Sequence, residues 1–297
     1  MNKAAIDIGS NSVLLVVVGP DGKVLHDQAR VVGLGKGLGE RGLFRTDRME
    51  LALGVLREYA EAARALGVAP ERVRVAATSA SRRALNAATF YAAVRVATGL
   101  KVDVISGDDE ARLTWTGGVS GLDLPPGPVL LADVGGGSTE VILGEGQTIR
   151  TRISLEIGTV RLTEQFLGYG PTDPGQFARM RQHIAEVVKA VDLPLMPRVA
   201  VAVAGTATTL TAIELGLSSW DSARIHGATL NAGSLRRLID RLLVAGPEAR
   251  RALAAVCPER ADTLLAGAMI LSHLLESTRR QSWRISERGL RFGLLTE

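Results

Sequence analysis

Two stretches of this chain join an aspartate to a run of very small residues. Asp7-Ile8-Gly9-Ser10-Asn11-Ser12 leaves one apolar run and enters another at 13–18. Asp133-Val134-Gly135-Gly136-Gly137-Ser138 does the same before 141–143. Each unit then closes on a turn signal, Gly19-Pro20-Asp21-Gly22 or Gly144-Glu145-Gly146. An acid at a strand end followed by a tight small-residue turn suits phosphate oxygens and a hard metal ion. Consecutive backbone N–H groups converge on an anion only where no side chain blocks the approach. Asp7, Gly9 and Ser12 correspond to Asp133, Gly135 and Ser138, so the device occurs twice. Two copies imply two facing lobes that grip one phosphorylated ligand.

The elements that must hold these turns read as alternating strands and helices, which indicates an α/β fold. Strands are expected at 4–8, 13–18 and 24–32, followed by a glycine-rich loop at 33–39 that carries Lys36. Asp47 with Glu50 resembles a helix start, and Leu51, Val55, Leu56, Tyr59, Ala63 and Leu66 keep helical spacing. Residues 72–77 read as a strand, 83–98 as a helix and 101–105 as a strand feeding the acidic helix start Ser106-Gly107-Asp108-Asp109-Glu110. The second half repeats the theme with strands at 129–134, 140–143 and 148–155. A further apolar run at 199–204 ends in Gly205-Thr206-Ala207-Thr208-Thr209, after which the chain reads as mostly helical. The proline- and glycine-rich segment 121–128 is the expected linker, dividing the chain into domains 1–122 and 123–297; Gly118, Gly121 and Pro125-Pro126-Gly127 are the hinge candidates.

A chain of 297 residues with 46% hydrophobic and 22% charged residues is globular and long enough for two cores. No apolar run approaches the roughly 18 residues of a membrane span, and residues 264–275 read as a buried helix. A leader pattern is missing at the N-terminus, where Asp7 interrupts the apolar run, and a single cysteine, Cys257, forms no internal disulfide; both lead to a cytoplasmic expectation. A net charge of +4 is compatible with a polyanionic substrate. No basic run, zinc spacing or aromatic ladder points to nucleic acid, and no membrane partner is expected. The four histidines form no ligand spacing.

Two Asp-x-Gly turns and a third small-residue turn after a late strand resemble the actin, sugar-kinase and Hsp70 superfamily. Further segments narrow this. Ala77-Thr78-Ser79-Ala80-Ser81-Arg82, Ile105-Ser106-Gly107-Asp108-Asp109-Glu110-Ala111-Arg112, Asp133 to Glu140 and Ser286-Glu287-Arg288-Gly289-Leu290-Arg291-Phe292-Gly293 resemble, in order, the Ppx/GppA family of exopolyphosphatases and guanosine pentaphosphate phosphatases. The resemblance implies two actin-like (ribonuclease H-like) domains with a phosphate-binding cleft between them, in a short form without the C-terminal helical domains of longer relatives. It also implies magnesium-dependent hydrolysis of a terminal phosphoanhydride bond, in inorganic polyphosphate or guanosine pentaphosphate.

Phosphoryl transfer asks mainly for positioning and charge neutralisation, and the candidate residues sort by those needs. Gly135, Gly136, Gly137 and Ser138 would present N–H groups and a hydroxyl to the terminal phosphate, although the same pattern fits a plain strand–strand turn. Ser10, Asn11 and Ser12 form the matching cradle, and Gly205 and Thr206 either meet substrate or only pack the strand end. Magnesium takes a few carboxylates plus substrate oxygens, which makes Asp133, Glu140 and Asp7 the candidate ligands, with manganese as the alternative ion; a solvated strand position is the other reading of Glu140. Among Asp108, Asp109 and Glu110 composition alone does not choose, and acids at a helix start often only complement its dipole. The family pattern selects Glu110 as the base for the attacking water, and places Arg82, able to make bidentate contacts to phosphate, toward the cleft. Lys36 either reaches along a phosphate chain or is merely exposed. Relatives often carry a basic residue where this chain has Leu14, the counterpart of Glu140 in the internal repeat. A kinase of the same superfamily and a non-catalytic sensor of polyphosphate or guanosine tetraphosphate are the competing readings, and a homodimer through the helical C-terminal half is compatible with the sequence.

Overall fold

A computed structural model describes residues 1–296 of the chain. It forms two compact units, the first comprising Met1–Gly117 together with the chain from Leu290 onward, the second Gly118–Gly289. The first is built on strands β1 (Lys3–Ile8), β2 (Ser12–Val18), β3 (Val24–Val31), β4 (Arg74–Ala77) and β5 (Val102–Val104), in the sheet order β3-β2-β1-β4-β5. The first three are antiparallel, whereas β4 and β5 run parallel to β1. The second unit holds β6 (Val129–Val134), β7 (Thr139–Glu145), β8 (Thr148–Leu155), β9 (Val199–Val203), β10 (Thr229–Asn231) and β11 (Ser282–Ile285), in the order β10-β11-β9-β6-β7-β8. Leaving β10 aside, this is the same third-second-first-fourth-fifth arrangement. The duplicated motif therefore sits in a duplicated α/β fold, two actin-like domains.

The central strands β1, β2, β6 and β7 are apolar almost throughout because helices cover both faces. The outer strands β3 and β8 alternate and stay polar, which blunts the sheet edges. Helix Thr46–Ala65 buries Ala52, Val55, Leu56, Tyr59, Ala60 and Ala63 at helical spacing against the first sheet. On the opposite face a smaller cluster joins Ala5, Val16, Val18 and Ala76 to Leu113 of helix Gly107–Val119 and to Leu290 and Leu294 of the closing helix Leu290–Leu294.

Several elements differ from the sequence-based expectation. The helix expected over 83–98 is two, Ser79–Arg83 and Ala87–Thr98. The break arises because the Asn86 side chain bonds both backbone groups of Phe44, at 2.9 and 3.0 Å, and the Leu85 N–H donates to the Gly42 carbonyl. Asp47 does not cap its helix, which starts at Thr46; it pairs instead with Arg45 and Arg48 at the surface. Strands β10 and β11 lie in the region read as helical. β11 is short, yet Trp283 and Ile285 are fully buried, and the Trp283 indole donates to the Leu271 carbonyl. Segment 121–128 is bound within the second unit, where Arg198 donates to the carbonyls of Pro128 and Pro126 and His226 contacts that of Gly121. The chain crosses between the units inside helix Gly107–Val119 and again at Gly289, so the unit boundaries fall elsewhere than 122/123. Among the described residues no helix is long and apolar enough to cross a membrane.

The closing helix lies so near helix Gly107–Val119 that a Cβ on Gly293 would collide with the Leu113 backbone carbonyl. Gly293→Ala is expected to cost about 1–3 kcal/mol in urea unfolding, as an overpacked core does. Gly54→Ala, at a helix position where nothing meets the added methyl, should instead stabilise by about 0.5–1 kcal/mol.

Candidate active site

In the first unit the period of two along β1 decides the geometry. Ile6 and Ile8 enter the main core, which turns Asp7 to the other face together with Ala5. That face is covered by Leu113, and Glu110 lies one turn earlier on the same side of helix Gly107–Val119. β4 is the parallel neighbour of β1, with Ala76 beside Asp7, and the Thr78 N–H donates to the Ile8 carbonyl. The short helix after β4 therefore starts next to the first aspartate turn and delivers Arg82. Arg82 Nη1 donates to Glu110 Oε2 at 2.6 Å and to the Ile105 carbonyl at 3.1 Å.

This arrangement separates the three neighbouring acids. Asp109 is tied to Ser106, whose hydroxyl accepts from the Asp109 N–H at 3.1 Å, as a helix N-cap does, and donates to its carboxylate at 2.7 Å. The Ser106 hydroxyl, with Arg112 beyond it, keeps Asp109 below the usual carboxylate range, and the side chain is exposed. Asp108 is exposed as well. Glu110 is buried, 8% accessible, and burial raises its proton affinity against the opposing pull of Arg82. Asp7 is pushed up to about 7, first by burial and then by the charge of Glu110, with Arg291 acting the other way. Arg291 is held by Asp27 through two hydrogen bonds of 3.1 and 2.9 Å.

The turn after β1 is fixed from behind. Gly9 donates to the Ser12 carbonyl, Gly35 to Ser10, and Val32 and Gly33 both to Asn11. In a trans peptide the C=O and the following N–H point in opposite directions, so holding the Ser10 and Asn11 carbonyls turns the N–H groups of Asn11 and Ser12 the other way. Lys36 lies in this same loop, next to Gly35, whose missing side chain lets it touch Ser10.

The second unit repeats the device. Gly135 donates to the Ser138 carbonyl. The carbonyls of Gly135 and Gly136 accept from the backbone N–H groups of Thr159, Val160 and Arg161 at 2.9 to 3.1 Å, and that of Gly137 accepts from Arg161 Nε at 2.8 Å. Three consecutive N–H groups, of Gly136, Gly137 and Ser138, consequently face away from that support. Asp133 stands directly opposite Glu140 in the β6–β7 ladder, as Asp7 stands opposite Leu14 in β1–β2. Cross-strand partners share a face, so the two acids of the second unit lie side by side, and Leu14 is the structural counterpart of Glu140. Glu140 is buried, not a solvated strand position, and its carboxylate accepts from Ser154 at 3.1 Å.

The third turn follows β9, the parallel neighbour of β6. Ala204 there takes a left-handed φ of 69°. Gly205 is packed under the buried guanidinium of Arg260, leaving no room for a Cβ, and Thr206 fits against Gly267. Gly205 and Thr206 thus lie in the packed first turn of the helix Ala204–Glu214 that follows β9, where the sequence reading expected a turn. Sequence reasoning missed Arg161, Gly158, Arg260 and Arg291. Gly158 is required because a Cβ there would come 2.5 Å from the Gly136 carbonyl oxygen. Only its small size, next to a buried Thr159, hinted at this in the sequence.

The donor set fits a hard divalent cation. Asp7 Oδ1 is shut off from solvent and has no hydrogen-bond partner among the described residues, so a cation bound there would take the place of the carboxyl proton. Asp133 and Glu140 offer oxygens side by side. No cluster of three or more potential metal ligands occurs among the described residues, so Asp7 is not grouped with the Asp133–Glu140 pair. In metal-free protein the native state keeps a proton on Asp7 that the unfolded chain has released. Its stability should therefore fall as the pH rises from 3.8 toward about 7, by at most about 1.4 kcal/mol per pH unit. Urea unfolding in chelator at successive pH values, compared with Asp7→Asn, measures this; a difference that does not change over that range would contradict the burial of this carboxyl.

The sequence from residue 16 to 297 matches the model of the Ppx/GppA phosphatase family. Exopolyphosphatase 2 of Mycobacterium tuberculosis is 33% identical over 295 residues, covering 94% of this chain and 91% of that protein. The Aquifex aeolicus PPX-GPPA enzyme is 35% identical, with a TM-score of 0.82 over 100% of this chain and 99% of that one. An exopolyphosphatase from Cytophaga hutchinsonii is 25% identical with a TM-score of 0.90, over 100% and 97%. Matched along nearly its whole length in sequence and fold, with both aspartate turns and the Arg82–Glu110 pair in place, the chain belongs to the Ppx/GppA phosphatase family.

Proposed function

We propose that the protein is an exopolyphosphatase that hydrolyses the terminal phosphoanhydride bond of inorganic polyphosphate with magnesium. The observation that carries this reading is Glu110, a buried carboxylate gripped by Arg82 at 2.6 Å beside the unsatisfied oxygen of Asp7. Burial raises the proton affinity of Glu110 while Arg82 keeps it oriented, the combination a general base needs. In the proposed step Glu110 takes a proton from water as the water oxygen attacks the terminal phosphorus. The bridging P–O bond breaks and its electron pair leaves with the shortened chain. The N–H groups of Gly136, Gly137 and Ser138 bind oxygens of the terminal phosphoryl group, and Arg82 adds positive charge. Asp7, Asp133 and Glu140 would hold the magnesium, which when bound neutralises charge on the phosphate oxygens.

Guanosine pentaphosphate hydrolysis uses the same residues. One observation favours it as the second reading: Leu14, directly across from Asp7, puts an apolar side chain where a cation would help gather a highly charged polymer. Phosphate release with magnesium from short and long polyphosphate, guanosine pentaphosphate and ATP separates these readings. Release from polyphosphate is expected to dominate and to fall by about 10²–10⁴-fold in Glu110→Gln. Preference for guanosine pentaphosphate would replace the first reading with the second. Binding without release from any substrate would make the protein a sensor, and ATP-dependent transfer to an acceptor would make it a kinase.

A further inference from the structure

The carbonyls that orient the triple-glycine turn are not held alike. Those of Gly135 and Gly136 are bound by backbone N–H groups, which no substitution removes. That of Gly137 is bound by a side chain, Arg161 Nε at 2.8 Å. The peptide it fixes joins Gly137 to Ser138, and a glycine on one side means that rotation of this plane meets little steric resistance. Arg161 is itself well placed for the task. Its backbone N–H is tied to the Gly136 carbonyl at 3.1 Å, so its side chain needs only to turn back one residue. Glu156 lies 2.7 Å from the outer guanidinium nitrogen, an ion pair too bent to count as a hydrogen bond. In the first unit the corresponding carbonyls, of Ser10 and Asn11, are held by backbone N–H groups. The second turn therefore depends on one replaceable side chain.

We infer that Arg161 is a positioning residue for the phosphate cradle: its Nε hydrogen bond to the Gly137 carbonyl keeps the Ser138 N–H turned toward the ligand side. Without that bond the Gly137–Ser138 peptide is free to rotate, which would withdraw one donor and aim a carbonyl oxygen at the phosphate. Arg161 touches no substrate in this scheme; it acts through the peptide plane. The inference rests on the reading of this turn as the phosphate cradle.

The test compares wild type with Arg161→Lys, which keeps the charge but cannot place a donor at the Nε position, Arg161→Ala, and Glu156→Gln as the control that leaves the Nε bond in place. Three quantities are read: kcat on polyphosphate, affinity for inorganic phosphate by calorimetry, and the urea midpoint. Loss of an oxyanion-hole donor typically costs about 10²–10³-fold in kcat, and a donor that is only misplaced for part of the time should cost about tenfold or more. Arg161→Lys is expected to show that loss, together with weaker phosphate binding, at an unchanged urea midpoint, and Glu156→Gln to stay within about twofold of wild type on the same scale. Methylguanidinium added to Arg161→Ala should restore part of the lost activity. Wild-type kcat and phosphate affinity in Arg161→Lys would overturn the inference, as would a loss that follows the urea midpoint and is not rescued. If the wild type releases phosphate from none of the substrates, the hydrolase reading fails by itself, and the phosphate affinities of wild type and Arg161→Lys still decide the role of Arg161.

Discussion

Asp7 sits between two fully buried isoleucines, and its Oδ1 receives no donor from the described residues. A carboxylate in such a place is costly to ionise, and the first unit is arranged around that cost. The strand keeps Asp7 off the main core by its period of two. Leu113 and the closing helix cover the face it points to, and Arg291 brings a positive charge that works against the cost. The same arrangement sets Glu110 apart from its exposed neighbours. A carboxyl that is hard to ionise is a stronger proton acceptor once ionised, so the packing of an apolar sheet and the raised proton affinity of Glu110 have one physical origin.

The two aspartate turns show how a fold presents N–H groups mainly through backbone contacts, with Arg161 the one side chain that holds a turn carbonyl. Each turn is backed by a loop or a short helix whose own donors occupy the carbonyls, and peptide planarity does the rest. Glycine serves such contacts in both units: Gly158 approaches Gly136 so closely that a Cβ could not fit, and a Cβ on Gly35 would crowd Ser10. Duplication preserved this plan while the side chains diverged. At the position across from the aspartate one unit has Leu14 and the other Glu140, so two units with the same sheet order place an apolar and an acidic side chain at equivalent points.

Much of this was legible in the amino-acid order. The aspartate turns, the strand-helix alternation and the late third turn are local signals, because periodicity and glycine runs report directly on backbone conformation. Glu110 was different: three adjacent acids at a helix start look alike in composition, the family resemblance alone singled one out, and burial beside Arg82 supplies the physical distinction. Strand β11 was missed since a four-residue strand carries little period, and its identity comes from pairing with β9. Gly158 and Arg161 lie more than twenty positions from the turn they support. Contacts of that kind depend on tertiary structure, and no spacing rule reveals them.

The closing helix belongs to the first unit although the whole second unit separates it from the rest. During synthesis, residues 1–117 emerge without Leu290 and Leu294, so the patch formed by Ala5, Val16, Val18 and Ala76 lacks part of its cover. The second unit is contiguous in sequence and can complete its core as soon as it leaves the ribosome. The unit that is begun first is thus finished after the second, and the sheet face bearing Asp7 acquires its full cover only once the whole second unit has been made.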